Sequence, residues 1–191
     1  MKTMPARGVR IGGVTVAPGE ARAVAIALGE VSAKRAVPAW VVVGTKPGPR
    51  VSVVAAARGT ESAAAAAARA LARTLDPEAL AGSVVVVPVL RPGGRFSPRR
   101  RAAAAWPFPG DSGGTARARD AFALFSELVV GVGAVLGLGA PRGGRRAALV
   151  ARGDLRDPRV RRLAAASGAI AARPFAKRKG PPPLARAAAA T

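Results

Sequence analysis

The sequence predicts an α/β fold in which a mostly parallel mixed sheet carries helices on both faces and follows a short β-rich segment. Three observations lead there. Half of the 191 residues are apolar, enough for a packed core and too many for a disordered tail. The valine-rich runs at 51–57 and 84–90 have the length and the lack of alternation of strands buried on both faces. Helix-forming stretches lie between and after them, so strand, helix, strand, helix and strand succeed one another in the order that builds a sheet with crossover helices.

The first 45 residues read as strands at 9–16, 21–28 and 37–45, broken at Pro18-Gly19 and by the polar stretch 32–35. Lys46-Pro47-Gly48-Pro49-Arg50 makes a stiff turn into the buried strand at 51–57. Thr60 is placed to cap a helix over 63–75, where Ala, Leu and Arg are good helix formers and Glu61 suits the positive end of the dipole; Asp76-Pro77 stops it. The strand at 84–90 comes after Gly82, and a basic loop over 91–114, rich in Pro and Gly, follows it. Loops longer than about 12 to 15 residues are usually functional or disordered. A helix over 115–129, core strands at 132–138 and 147–151, and a helix from Asp157-Pro158 to Ser167 complete the pattern. Three parts are expected: a β-rich amino-terminal segment (1–46), an α/β core (47–176), and a basic, Pro-rich linker with an Ala-rich carboxyl-terminal helix (177–191). Much of the apolar content is alanine, which buries little area per side chain, so the core stabilises less than a Leu/Ile/Phe core of equal length.

Composition excludes several chemistries. The sequence contains no His and no Cys, so Ser-His-Asp and Cys-His catalysis, disulfides and ordinary zinc sites cannot be assembled from it. The acids of the second half, Asp111, Asp120, Glu127, Asp154 and Asp157, are scattered and suit caps and turns. Gly131, Gly133, Gly137 and Gly139 have the wrong spacing for a dinucleotide fingerprint and fall within a strand. No apolar stretch follows the basic residues of the first 13 positions, and the longest promising uncharged run, 128–141, is 14 residues long, short of the roughly 20 a spanning helix needs. A cytoplasmic protein without a membrane partner is expected.

The net charge is +21, and residues 91–191 hold 20 basic groups against 5 acids. Such a field attracts polyanions, giving salt-sensitive nucleic-acid binding without sequence choice, or else it marks solvated faces. No aromatic residue falls within the basic clusters at 99–101, 142–146, 159–162 and 177–179 to stack on bases.

The motif order is informative. Gly13-Val14-Thr15-Val16-Ala17-Pro18-Gly19-Glu20, Pro38-Ala39-Trp40-Val41-Val42-Val43-Gly44, Pro47-Gly48-Pro49-Arg50-Val51, Arg58-Gly59-Thr60-Glu61, Leu75-Asp76-Pro77, 82–90 and Phe108-Pro109-Gly110-Asp111 occur in sequence. In that order they resemble the succinylglutamate desuccinylase and aspartoacylase family along nearly the whole chain. The resemblance implies a zinc-carboxypeptidase-like sheet holding one Zn²⁺, which activates water to hydrolyse the amide of an N-acyl amino acid. Against the family's His-Gly-Asp-Glu zinc motif, this chain has Arg58, Gly59, Thr60 and Glu61, leaving Glu61 as the surviving metal-ligand position. The family's later His, at the end of an Asp-Leu-His strand, matches Gly139. Trp106-Pro107 stand where the family's Asn-Arg pair grips the substrate carboxylate. The family's catalytic Glu, on a strand after a helix similar to 184–190, is expected to be missing.

Zinc catalysis needs three protein ligands and an open water position. One carboxylate does not hold the metal, and a guanidinium at Arg58 places a fixed positive charge where a cation would sit. The expectation is a degenerate, truncated relative with no catalytic residue and no cofactor, retained as an anion-binding or partner-binding scaffold. Arg58 and Glu61 either form an ion pair in the old metal position or both reach solvent. Arg58, Thr60 and Arg91 either line an anion pocket at strand ends or are unrelated surface groups. Two alternatives stay open: a hydrolase of N-acyl amino acids with Zn at a site completed unconventionally or by a partner, and a basic nucleic-acid-associated protein. A sheet cut at an edge also exposes unpaired backbone, which favours a protein partner or a homo-oligomer.

Overall fold

The computed structural model describes residues 7–28, 36–55, 62–90, 107–139, 150–153, 157–166 and 171–174. The chain opens with a hairpin, β1 (Val9–Ile11) and β2 (Val14–Val16). The turn falls at Gly12-Gly13, both with positive φ, so the strand expected at 9–16 is two strands. β3 (Ala21–Ala27), β4 (Ala36–Val43), β5 (Lys46–Ala55), β6 (Ala81–Val87) and β7 (Ala134–Leu138) form the main sheet in the order β3-β4-β6-β5-β7. β4 is antiparallel to β3 and β6, whereas β5 is parallel to both β6 and β7. The sheet is therefore mixed, with its parallel half at the β6-β5-β7 side. The amino-terminal strands are continuous with the core, because β4 hydrogen-bonds directly to β6.

Both faces are covered, and alternation along the strands decides what faces what. On one face Val53 and Ala55 of β5 and Val86 of β6 pack against α1 (Ser62–Thr74) through Ala64, Ala68 and Ala72, with Leu71 and Leu75 at the margin. Alanines at this helical spacing let the helix axis lie close to the sheet. On the other face Val41, Val43, Val54, Val85 and Val87 meet Leu124, Phe125 and Leu128 of α2 (Ala116–Leu128), with Ile11 and Val16 of the hairpin closing the layer. Thr115 caps α2, its hydroxyl accepting from the Ala118 N–H at 3.3 Å.

Ser52 interrupts this apolar packing. It is fully buried in the middle of β5, and its Oγ has no hydrogen-bond partner among the described residues. Removing a buried, unsatisfied hydroxyl removes its desolvation penalty. Ser52→Ala is accordingly expected to raise stability by about 1 kcal/mol, read from the urea midpoint at unchanged slope. A loss of more than about 1 kcal/mol would mean that the hydroxyl has a partner.

Two expectations differ in detail. The stretch 46–50, expected as a turn, is the first part of β5: Lys46 pairs with Ala81, the register shifts, and regular pairing resumes at Arg50↔Ser83. Prolines are tolerated in this irregular stretch because it asks for few ladder N–H groups. The strand expected at 147–151 is β8 (Val150–Gly153), and it pairs in parallel with β9 (Ala171–Pro174) in a separate two-stranded sheet instead of extending the main one. α3 (Pro158–Ala166) connects these two strands. No helix among the described residues is long and apolar enough to cross a membrane.

Candidate functional site

The parallel half of the sheet defines the site. β5, α1 and β6 form a β-α-β unit, so α1 runs against the strands and its amino end lies at their carboxyl ends. In open α/β sheets ligands bind at that end. Ala55, the last residue of β5, is in register with Leu138, the last residue of β7. Its carbonyl also accepts the Leu90 N–H at 3.3 Å, so the chain leaving β6 turns back onto the end of β5. Residues 55, 90 and 138 thus converge, and each is followed directly by a segment carrying candidate residues. Arg58, Thr60 and Glu61 come after Ala55 and lead into α1 at Ser62, Arg91 follows Leu90, and Gly139 follows Leu138.

Gly139 is exposed, and an added Cβ would meet no atom within 4 Å among the described residues. The position is roomy and carries no donor. Arg58, Thr60, Glu61 and Arg91 lie outside the described residues. Pro107, one of the two residues that the resemblance aligns with the family's Asn-Arg pair, is described and exposed, and its side chain has no hydrogen-bond donor; Trp106 lies outside the described residues. The Phe108-Pro109-Gly110-Asp111 stretch after it is folded against α2: Gly110 backs onto that helix so closely that a Cβ would approach the Phe122 nitrogen to 2.3 Å, and the Asp111 N–H donates to the Ala118 carbonyl at 3.1 Å.

The acids of the second half have structural work. Asp111 and Asp157 accept backbone N–H bonds from Gly113 and Arg159, at 2.9 and 2.7 Å. Glu127 has a role the sequence did not suggest: its carboxylate accepts the Gly12 N–H at 3.3 Å, tying the hairpin to the end of α2. Asp120 is buried within α2, and Asp154 lies outside the described residues.

Arg50 was legible only as a turn residue. The structure half-buries it midway along β5, five residues before Ala55, with its guanidinium donating to the Glu127 carbonyl. Burial lowers its pKa, and the nearby Glu127 carboxylate pulls it partly back. A cation at the carboxyl end of α2 also complements the helix dipole. Among the described residues no group of three or more His, Cys, Asp or Glu is arranged to hold a metal.

The architecture matches solved structures. An aspartoacylase family protein from Mesorhizobium loti superposes with a TM-score of 0.63 at 20% identity, over 92% of this chain and 59% of that one. The fold is that of the succinylglutamate desuccinylase and aspartoacylase proteins. A succinylglutamate desuccinylase/aspartoacylase from Rhodobacter sphaeroides gives a TM-score of 0.51 at 25% identity over 61% of this chain and 39% of that one. The product-bound ectoine utilization protein EutE (DoeB) from Ruegeria pomeroyi gives 0.50 at 23% identity, over 61% and 38%. The chain therefore spans between 38% and 59% of the length of these three proteins. No protein-family model and no curated protein matches it.

Proposed function

We propose that this chain is a desuccinylase/aspartoacylase-like scaffold that binds a small carboxylate-bearing anion without zinc and without hydrolysing it. The observation that carries the reading is Gly139. It sits one residue past the registered ends of β5 and β7, where the resemblance expects a histidine ligand, and it has no side chain to ligate a metal. With arginine at the first ligand position and no His or Cys anywhere in the sequence, the residues present do not fit zinc, which takes three protein ligands of N, O or S type in a catalytic site.

The same end suits an anion. Arg58 and Arg91 leave two strand ends that converge on Ala55, and Thr60 supplies a hydroxyl two residues before α1 begins. Guanidinium groups grip carboxylates with two parallel hydrogen bonds and keep their charge. Protein loaded with excess zinc and desalted is expected to hold well under one zinc per chain by elemental mass spectrometry. It is expected to bind N-acetyl-L-aspartate or N-succinyl-L-glutamate in calorimetry without turnover, with Arg58→Gln and Arg91→Gln each weakening binding roughly ten- to a hundredfold, as loss of one charge-assisted hydrogen bond of about 1.5 to 3 kcal/mol would. Stoichiometric zinc lost with Glu61→Ala, together with chelator-sensitive hydrolysis, would replace this reading with an active hydrolase. Metal-free protein that ignores both acyl amino acids would remove the anion site.

A further inference from the structure

A second concentration of cationic groups lies in the β8-α3-β9 unit, whose residues are separate in sequence from those of the anion site proposed above. Residues 150–174 contain six arginines against two aspartates. Topology gathers five of the six at one end. β8 and β9 are parallel and α3 connects them, so the amino end of α3 lies at the carboxyl end of both strands. Arg152 and Arg173 are the third residues of their four-residue strands and stand in direct register, one strand spacing of about 4.8 Å apart along the backbone. Arg159, Arg161 and Arg162 fall within the first five residues of α3 and are all exposed, whereas Ala164 is buried.

The amino end of the helix is already capped. Asp157 accepts the Arg159 N–H at 2.7 Å, and its own carbonyl accepts the Arg161 N–H at 3.1 Å. Attraction here comes from the arginine side chains, with the Arg159 and Arg161 amides already engaged. We propose that this end of the β8-α3-β9 unit is a docking surface for the phosphodiester backbone of duplex nucleic acid, bound without sequence choice.

The chemistry favours that partner over the other common polyanions. Arginine, which supplies every cation of the unit, matches phosphate oxygens with two parallel hydrogen bonds. Among the side chains described in α3, the exposed ones are those of Pro158, Arg159, Arg161, Arg162, Ala165 and Ala166, none of them a large apolar group to enter a lipid interface. Residues 150–174 contain no aromatic side chain to stack on the bases of a single strand. What remains is charge presented on a rigid helix, which reads backbone and not sequence.

The test is fluorescence anisotropy with the full chain and two 20-base-pair duplexes of unrelated sequence, titrated with salt. Both duplexes are expected to bind equally, with affinity falling steeply as salt rises. Arg159→Gln/Arg161→Gln/Arg162→Gln, which keeps helix propensity, is expected to weaken binding at least tenfold and to flatten the log–log salt slope by about 2 to 3, near 0.9 for each phosphate that is no longer neutralised. Arg22→Gln/Lys46→Gln/Arg69→Gln removes the same charge from exposed positions elsewhere and is expected to change binding less than threefold. Equal losses in the two triple variants would overturn the proposal in favour of diffuse net charge. Absence of duplex binding at low salt would also overturn it, as would α3-dependent binding to anionic phosphatidylserine vesicles but not to duplex. Circular dichroism of each variant separates these outcomes from unfolding.

Discussion

Joining Arg58→His to Gly139→His is expected to turn a protein that keeps no zinc through desalting into one that keeps about one zinc per chain, tetrahedrally held through three protein ligands. Retention of that kind needs a dissociation constant of about 1 μM or tighter, roughly 8 kcal/mol. The expectation rests on placement. The carboxyl ends of β5 and β7 are locked side by side by the Ala55↔Leu138 pairing; Arg58 and Glu61 follow Ala55 by three and six residues, and Gly139 follows Leu138 directly. Gly139 offers open space to an incoming imidazole, with no described atom within 4 Å of the new Cβ.

Each substitution alone is expected to fail. Gly139→His leaves Arg58 in place, and a guanidinium held about 4 Å from a divalent ion opposes it by roughly 8 kcal/mol at an effective dielectric of about 20. Arg58→His removes that charge but leaves at most two protein ligands, Glu61 and the new histidine. Elemental analysis of the wild type, both single variants and the double variant, and of the double variant with Glu61→Ala added as a third change, separates the cases. A folded double variant that stays zinc-free would show that the strand ends do not bring these positions to one centre, and the account of Gly139 as a lost ligand position would fall with it.

The residue types behind that argument were readable in the sequence, but their meeting point was not. The valine runs at 51–57 and 84–90 and the helical stretches at 63–75 and 115–129 fall within a few residues of β5, β6, α1 and α2, because continuous apolar runs and capped alanine-rich stretches each admit few alternatives. Strand direction was less readable. β4 is as valine-rich and as buried as β6, yet it is antiparallel to both neighbours, and apolar content alone does not record direction. β9 escaped notice because Ala171-Ala172-Arg173-Pro174 is short, carries a charge and ends in proline. Arg50 escaped because a cation between prolines and a strand reads as solvated, whereas the end of α2 supplies a carbonyl and a carboxylate that make its partial burial tolerable. The convergence of residues 55, 90 and 138 depends on register and on one loop hydrogen bond, neither of which leaves a local signal.

The largest loss of stability is expected at Gly82, far from the candidate site. Gly82 has φ +88°, and a Cβ there would come within 2.1 Å of the Pro49 carbonyl oxygen and 2.6 Å of the Gly48 carbonyl carbon. Gly48 is equally confined, its own Cβ position lying 2.6 Å from Ala81 and Gly82 backbone atoms. The two backbones cross at the point where the β5–β6 register shifts, so no flexible side chain can move aside. Gly82→Ala adds about 1 to 2 kcal/mol for an L-residue in the left-handed region and forces the crossing strands apart, for a total of about 3 to 5 kcal/mol in chemical denaturation. Gly137→Ala, in β7 with open space around its Cβ position, is the contrast: it is expected to be neutral or to stabilise by up to about 1 kcal/mol. A loss below about 1 kcal/mol at Gly82 would show that the crossing relaxes freely. The crossing also bears on the site, because it fixes where regular pairing of β5 begins. A slip of one residue would exchange the faces of Val53 and Ala55 with those of Ser52 and Val54 and move the end of β5 relative to Leu138. Adding Gly82→Ala to the Arg58→His/Gly139→His protein is therefore expected to weaken zinc retention from about 20 Å away along the strand, even under conditions in which the chain remains folded.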